Sequence, residues 1–115
     1  MKIIYNKWLP PKRFDAINLF GYLFARYGIK VSGRTIQHES IHSRQMREML
    51  YLFFYLWYGV EWLIRLAQYR NAMTAYYNIS FEREAYANDR SENYLTARKS
   101  WAWCRYLKKE RIITS

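Results

Sequence analysis

The chain has little that would cross-link or anchor it. Cys104 is its only cysteine, so no disulfide framework can close within it, and a reducing compartment is permitted. There is no CxxC pair, no glycine-rich phosphate loop and no internal repeat, which sets aside dithiol redox sites, P-loop nucleotide cradles and solenoids. The longest hydrophobic run, Met49 to Val60, falls short of the ~20 residues a bilayer requires. Tyr51, Tyr55 and Tyr58 interrupt it with hydroxyls and Glu61 ends it. The expectation is a core helix whose outer side can rest at an interface, with Gly59 as a bend. The start, Met1 to Trp8, breaks after too few apolar residues for a secretory signal, so cytoplasmic residence is the default, with membrane association as an addition to it.

Acids are scarce. Nine Asp and Glu stand against nineteen Lys and Arg, a formal charge of +10. Residues 1 to 34 hold seven basic groups against Asp15, residues 98 to 115 hold six against Glu110, and the stretch between holds six against seven acids. Basic ends therefore flank a near-neutral centre. Such ends suit anionic lipid headgroups or acidic polypeptide in a salt-dependent way, and nucleic acid is the weaker expectation.

Histidine is nearly absent as well, and its placement is informative. The only two, His38 and His42, frame a glutamate in His38-Glu39-Ser40-Ile41-His42. On a helix, four positions make about one turn plus 40°, so both imidazoles leave one face roughly 6 Å apart along the axis, within reach of one tetrahedral ion. Glu39 would project beside that ion. Zinc there would lower the pKa of water toward ~7, and Glu39 would act as the general base that takes the proton. With both histidines so used, serine-nucleophile chemistry has no base. The bland reading of the same residues is an ordinary partly buried turn.

A zinc site needs a third ligand, and the lack of a further histidine leaves a carboxylate. After the motif the acids are Glu48, Glu61, Glu82, Glu84, Asp89, Glu92 and Glu110. Glu48 and Glu61 continue the same helical run or its extension, and a helix cannot fold back on its own metal. Glu82 and Glu84 lie in Ser80 to Asp89, which reads as a helix start with acids in its first turn and Ser80 as N-cap. Small Ala85 and Ala87 would allow close approach of another helix.

The HESIH pentapeptide with a downstream E-x-x-A on Glu82 and Ala85 resembles the gluzincin class of zinc metallopeptidases. The chain also resembles a group of short bacterial proteins that pair an HExxH helix with a FEREAYAN segment, here Phe81 to Asn88. The resemblance implies one zinc ion per chain held by His38, His42 and Glu82, with Glu84 in reserve and Asn88 one turn beyond it. It further implies a peptide or protein substrate, paired by its backbone with a strand beside the metal helix.

The whole chain, 1–115, is expected to form a single zincin-like domain, mainly α (α+β), with a small N-terminal β element. Lys2 to Tyr5 reads as a short strand stopped by Pro10-Pro11. Ile17 to Arg26 suits helix or strand, and the resemblance to zincins, in which a strand beside the metal helix binds substrate, implies an extended hairpin there. Ser32 to Thr35 supplies caps for the histidine helix, which is expected to run into the fifties. Arg70 to Tyr77 would connect back toward the site and bring Tyr76 or Tyr77 near it, with no oxyanion-stabilising residue selected. From Ser91 to Arg111 a second helical stretch interleaves Trp101, Trp103 and Tyr106 with basic residues. Its rings are expected to pack on the long apolar helix, or else to face a lipid interface. With 51% hydrophobic and 20% aromatic residues, disorder is disfavoured, and so much apolar surface calls for a cover: a homo-oligomer, a protein partner or an anionic membrane surface.

Three functions remain open. One is a zinc peptidase. The second is a non-catalytic zinc-binding module, for which a base at Glu39 has no use. The third is a basic peripheral-membrane or interaction protein in which HESIH is incidental.

Overall fold

A computed structural model describes residues 2–11 and 14–108. The fold is mainly α, with a small three-stranded sheet at its start. Strand β1 (Ile3–Asn6) runs parallel to β3 (Tyr22–Arg26), and β2 (Ala16–Leu19) pairs antiparallel with β3 on its other side. The order β1-β3-β2 leaves β2 at an edge. The expected hairpin is therefore present. Its two-residue turn needs positive φ at both central positions to match strand twist, and Phe20 (φ 53°) and Gly21 (φ 92°) supply it. Phe20 has no glycine's freedom, and its backbone is held from α2 (Leu52–Tyr69). Its N–H donates to Tyr55 Oη at 3.0 Å, and the two rings lie 5.0 Å apart.

Helix α1 (Gly33–Glu48) begins where expected, with Ser32 Oγ accepting the Thr35 N–H. Its buried residues His38, Ile41, His42, Gln45 and Met46 follow the spacing of one helical face. Asn18 of β2 ties the sheet to that helix, its amide donating to the Glu39 carbonyl at 2.7 Å and to Ser43 Oγ at 2.8 Å.

The helix does not run into the fifties. Leu50 (φ 54°) and Tyr51 (φ 59°) both enter the left-handed region and turn the chain, so that α2 forms a separate helix. Two such residues cost roughly 1–3 kcal/mol each. The turn is held by the Tyr51 N–H on the Met46 carbonyl at 2.7 Å and by packing of Tyr51 on the core of Met46, Phe54, Ile79, Phe81 and Trp103. Gly59 lies within an uninterrupted α2.

The segment expected as a connection is itself helical, α3 (Ala72–Tyr77), capped by the Asn71 side chain on the Thr74 N–H. Helix α4 (Ser80–Asn88) follows, with Ile79 rather than Ser80 at its N-cap. Glu61 of α2 takes over that duty: its carboxylate accepts the Ser80 N–H at 2.6 Å and Oγ–H at 2.5 Å. The stretch of α4 from Ser80 to Ala85 is buried on all sides, Ala85 completely, whereas Ala87 is exposed. Phe81 stacks on Phe54 at 4.5 Å and meets Trp103 at 4.7 Å.

The long second helix expected from Ser91 is replaced by α5 (Tyr94–Ala97) and a 3-10 turn (Ala102–Tyr106). Arg98 explains the break. Its guanidinium reaches Glu48 at 2.8 and 3.1 Å and Glu84 at 2.5 and 3.0 Å, and this pull leaves Arg98 extended at the end of α5. Lys109, Glu110 and Arg111 lie outside the described residues.

Candidate metal centre

His38 and His42 leave the inner face of α1 one turn apart and are 6% and 4% exposed. Glu82, in the first turn of α4, meets both. Its Oε1 lies 3.1 Å from His38 Nε2 and 3.0 Å from His42 Nε2, and the two nitrogens are 3.2 Å apart. Tetrahedral zinc with bonds of about 2.0–2.1 Å holds its ligand atoms about 3.3 Å from one another. This nearly equilateral triangle therefore fits such an ion with a small outward adjustment.

The outer hydrogen bonds decide which atoms carry protons. His38 Nδ1 faces Asp89 Oδ2 at 3.0 Å, and an ionised carboxylate only accepts, so Nδ1 carries the hydrogen. Gln45 donates its amide N–H groups to the Phe81 carbonyl (2.9 Å) and to Glu84 Oε1 (3.0 Å), which turns its own oxygen toward His42 Nδ1 at 2.7 Å. That Nδ1 must also donate. Both Nε2 atoms are thereby left with lone pairs directed at each other and at the Glu82 oxygen. Three acceptors converge without a donor, an arrangement that calls for a cation between them, whether a metal ion or a proton. The other Glu82 oxygen accepts from Tyr58 Oη at 2.7 Å.

The electrostatics agree. Burial pushes the His42 imidazolium down, but the Glu82 carboxylate, through charge and hydrogen bond, and then Glu39 and Gln45 more than reverse this and raise its pKa to about 9. Burial likewise raises Glu82, yet the two imidazoles override it and hold the carboxyl well below its usual range. Without a metal, a proton takes the central position.

Glu39 stands beside this triangle. Ligating atoms of His38, Glu39 and His42 all lie within 4.8 Å of one another. Burial raises the Glu39 carboxyl above its ordinary pKa, with Glu82 adding to the effect, while the two imidazoles and the Asn18 backbone N–H oppose it. A carboxyl raised toward neutrality suits proton transfer.

Glu39 and Tyr76, with Phe14 and Ala16, line both of two adjoining cavities. One, of about 410 Å³, is lined by Arg34, His38, Tyr77, Tyr86 and Asp89. The other, of about 300 Å³, is more apolar, with Ile17, His42, Phe54, Tyr58 and Glu82 on its walls. The edge strand β2 borders both, through Ala16 on the first and Ala16 to Leu19 on the second. Tyr76 Oη lies 3.0 Å from Tyr86 Oη, and the Tyr86 ring packs on His38 at 4.3 Å.

Of the residues singled out in the sequence, His38, Glu39, His42 and Glu82 come together, and both Tyr76 and Tyr77 line the space beside them. Glu84 does not join them. It binds Arg98 and Tyr94 and reaches His42 only through Gln45. Glu48 pairs with Arg98, Glu61 caps α4, Glu92 is exposed, and Glu110 lies outside the described residues. Sequence reasoning missed the roles of Gln45, Tyr58 and Asp89. A signal existed for two of them. Gln45 continues the spacing of His38 and His42 on α1, and Asp89, the C-cap of α4, lies two turns beyond Glu82.

Comparison of the chain with family models, curated proteins and solved structures finds no match. The likeness to zinc peptidases therefore rests on the buried His38-Glu39-His42 cluster and its surroundings.

Proposed function

We propose that this chain is a zinc-dependent peptide hydrolase in which His38, His42 and Glu82 hold one metal ion and Glu39 is the general base. The observation that carries this reading is the convergence of three lone-pair donors at 3.0–3.2 Å beside Glu39, a residue that lines two cavities. Zinc bound there supplies Lewis acidity, lowering the pKa of water toward ~7 and polarising a carbonyl.

This chain's own groups supply the rest. The Glu39 carboxylate takes the proton of the attacking water and returns it to the leaving amine nitrogen. Asp89 and Gln45 keep both imidazoles in the tautomer with a free Nε2, and Tyr58 fixes the rotation of Glu82. A peptide laid along β2 would pair with its open edge and place side chains into the two cavities on either side of Glu39. Tyr76, which lines both cavities together with Glu39, is assigned as the donor to the oxyanion.

The rival is a structural zinc staple, favoured by the deep burial of Glu82, 4% exposed. Glu39→Gln separates the two. The hydrolase reading expects the variant to keep about one zinc and lose cleavage of a quenched-fluorescent peptide library by a factor on the order of 10² or more. Retention of full cleavage by that variant would remove Glu39 as the base.

A further inference from the structure

The outward face of α2 is built for a partner. Phe53, Leu56, Trp57, Val60, Leu63 and Ile64 recur at helical spacing and are each 42–59% exposed. They form a stripe roughly 17 Å long. Trp101 and Leu107 widen it from the side, Trp101 across a hollow shared with Leu56 and Val60 and Leu107 across one shared with Val60 and Ile64. An apolar face of this extent is unusual on a monomer that meets only water.

In the segments that carry or flank the stripe, charge is sorted by sign. In segments 47–70 and 98–108 the acids are Glu48 and Glu61, and each is committed inward, Glu48 to Arg98 and Glu61 to Arg65 and Ser80. The charged residues of these segments that face solvent are Arg47, Arg70, Lys99, Arg105 and Lys108, all cationic. Arg47, in the last turn of α1, and Arg70, the C-cap of α2, flank α2 along the chain, and the other three share a segment with Trp101 and Leu107. The stripe itself carries no charge. Two copies joined through it would bring like-charged rims together in a chain of formal charge +10, which opposes self-association. A bilayer with anionic headgroups satisfies both features, taking the apolar stripe below the headgroups and the cations among them.

We propose that α2 lies flat on an anionic phospholipid surface, with Trp57 and Trp101 at headgroup depth and the five cations as its electrostatic rim. The helix is not long and apolar enough to cross a membrane, so the association is peripheral. Its opposite face carries Tyr58, which holds Glu82, so α2 joins the membrane face to the buried cluster. The proposal does not depend on the hydrolase reading, and its test contains no activity measurement.

The test is sedimentation of the full chain with vesicles of phosphatidylcholine containing about 30% phosphatidylglycerol, compared with pure phosphatidylcholine, at low and high salt. Expected are binding to the anionic vesicles with a blue shift of tryptophan emission, and weakening by about tenfold or more on pure phosphatidylcholine or at high salt. Val60→Asp with Ile64→Asp, both at exposed positions, should reduce binding by about tenfold or more with an unchanged thermal melt. Lys99→Glu with Lys108→Glu should weaken binding to the anionic vesicles alone. The proposal is overturned if the unaltered protein stays in the supernatant with anionic vesicles at low salt, or binds both vesicle types equally. It is also overturned if light scattering shows a dimer that the Val60 and Ile64 changes dissociate and that binds no vesicle.

Discussion

Asp89 holds His38 from behind: its Oδ2 lies 3.0 Å from Nδ1, on the ring edge opposite the atom that faces Glu82. The other oxygen of Asp89 accepts from Arg34 Nε at 2.9 Å. Such a carboxylate fixes the tautomer of a ligand and raises its basicity, and its loss typically weakens metal binding by about 10–100-fold. Asp89→Asn is expected to lower zinc affinity within that range, measured by competition with a chromogenic chelator. Unchanged affinity would mean that Asp89 serves only to anchor Arg34.

Glu82 and Glu84 are two residues apart and predict opposite phenotypes. Glu82→Gln should abolish stoichiometric zinc binding, since it removes the charge that faces both imidazoles. Glu84→Gln should retain zinc but lose stability by roughly 3 kcal/mol, because it weakens a buried pair with Arg98 in which both side chains are nearly inaccessible. Metal content and chemical denaturation of the two variants distinguish these roles.

Glu84, alongside Glu82, contributes to behaviour in acid. Burial pushes its carboxyl up, but hydrogen bonds from Arg98, Gln45 and Tyr94 and the Arg98 charge more than reverse this, leaving its pKa lowered. A carboxyl lowered on folding contributes stability above its unfolded pKa of about 4.3, and that contribution is lost as pH falls through the lower folded value. The melting temperature should therefore drop below about pH 4, and Glu84→Gln should flatten that part of the profile.

At His42 the sign is opposite. With its pKa raised to about 9, the proton on His42 favours the metal-free fold fully below an unfolded value of about 6.5, and this support fades as pH rises through 9. Zinc must displace that proton. Uptake near pH 7.5 should release about one proton per ion, measurable by calorimetry in buffers of different ionisation enthalpy. Binding heats independent of the buffer would contradict this.

The histidine helix was legible because its signals are local, whereas the hairpin was expected from the likeness to zincins. Ser32 caps within three residues and the histidines share a face by spacing alone. The residues around Gly21 suited helix or strand equally, and only the pairing of β2 with β3 decides. That a first-turn acid of α4 would approach the histidines was legible beside small Ala85, which is fully buried, but the choice of Glu82 over Glu84 followed from the E-x-x-A resemblance. The break at Leu50 and Tyr51 was not legible, since neither is a residue that favours positive φ and the hydrophobic run continues across it. The helix expected from Ser91 failed for a tertiary reason, the pull of Glu48 and Glu84 on Arg98. Gln45, Tyr58 and Asp89 act across helices that only folding brings together, so helical spacing could mark their faces but not their partners.

The central claim is that two imidazoles of α1 and one carboxylate of α4 share a single zinc ion. X-ray absorption at the zinc edge, on protein loaded with one equivalent, tests it most directly. The account predicts two imidazole nitrogens and a carboxylate oxygen at about 2.0–2.1 Å, with the imidazole signature lost when His38 and His42 are replaced by Ala. A spectrum of hydrated zinc, or one unchanged by those replacements, would contradict it.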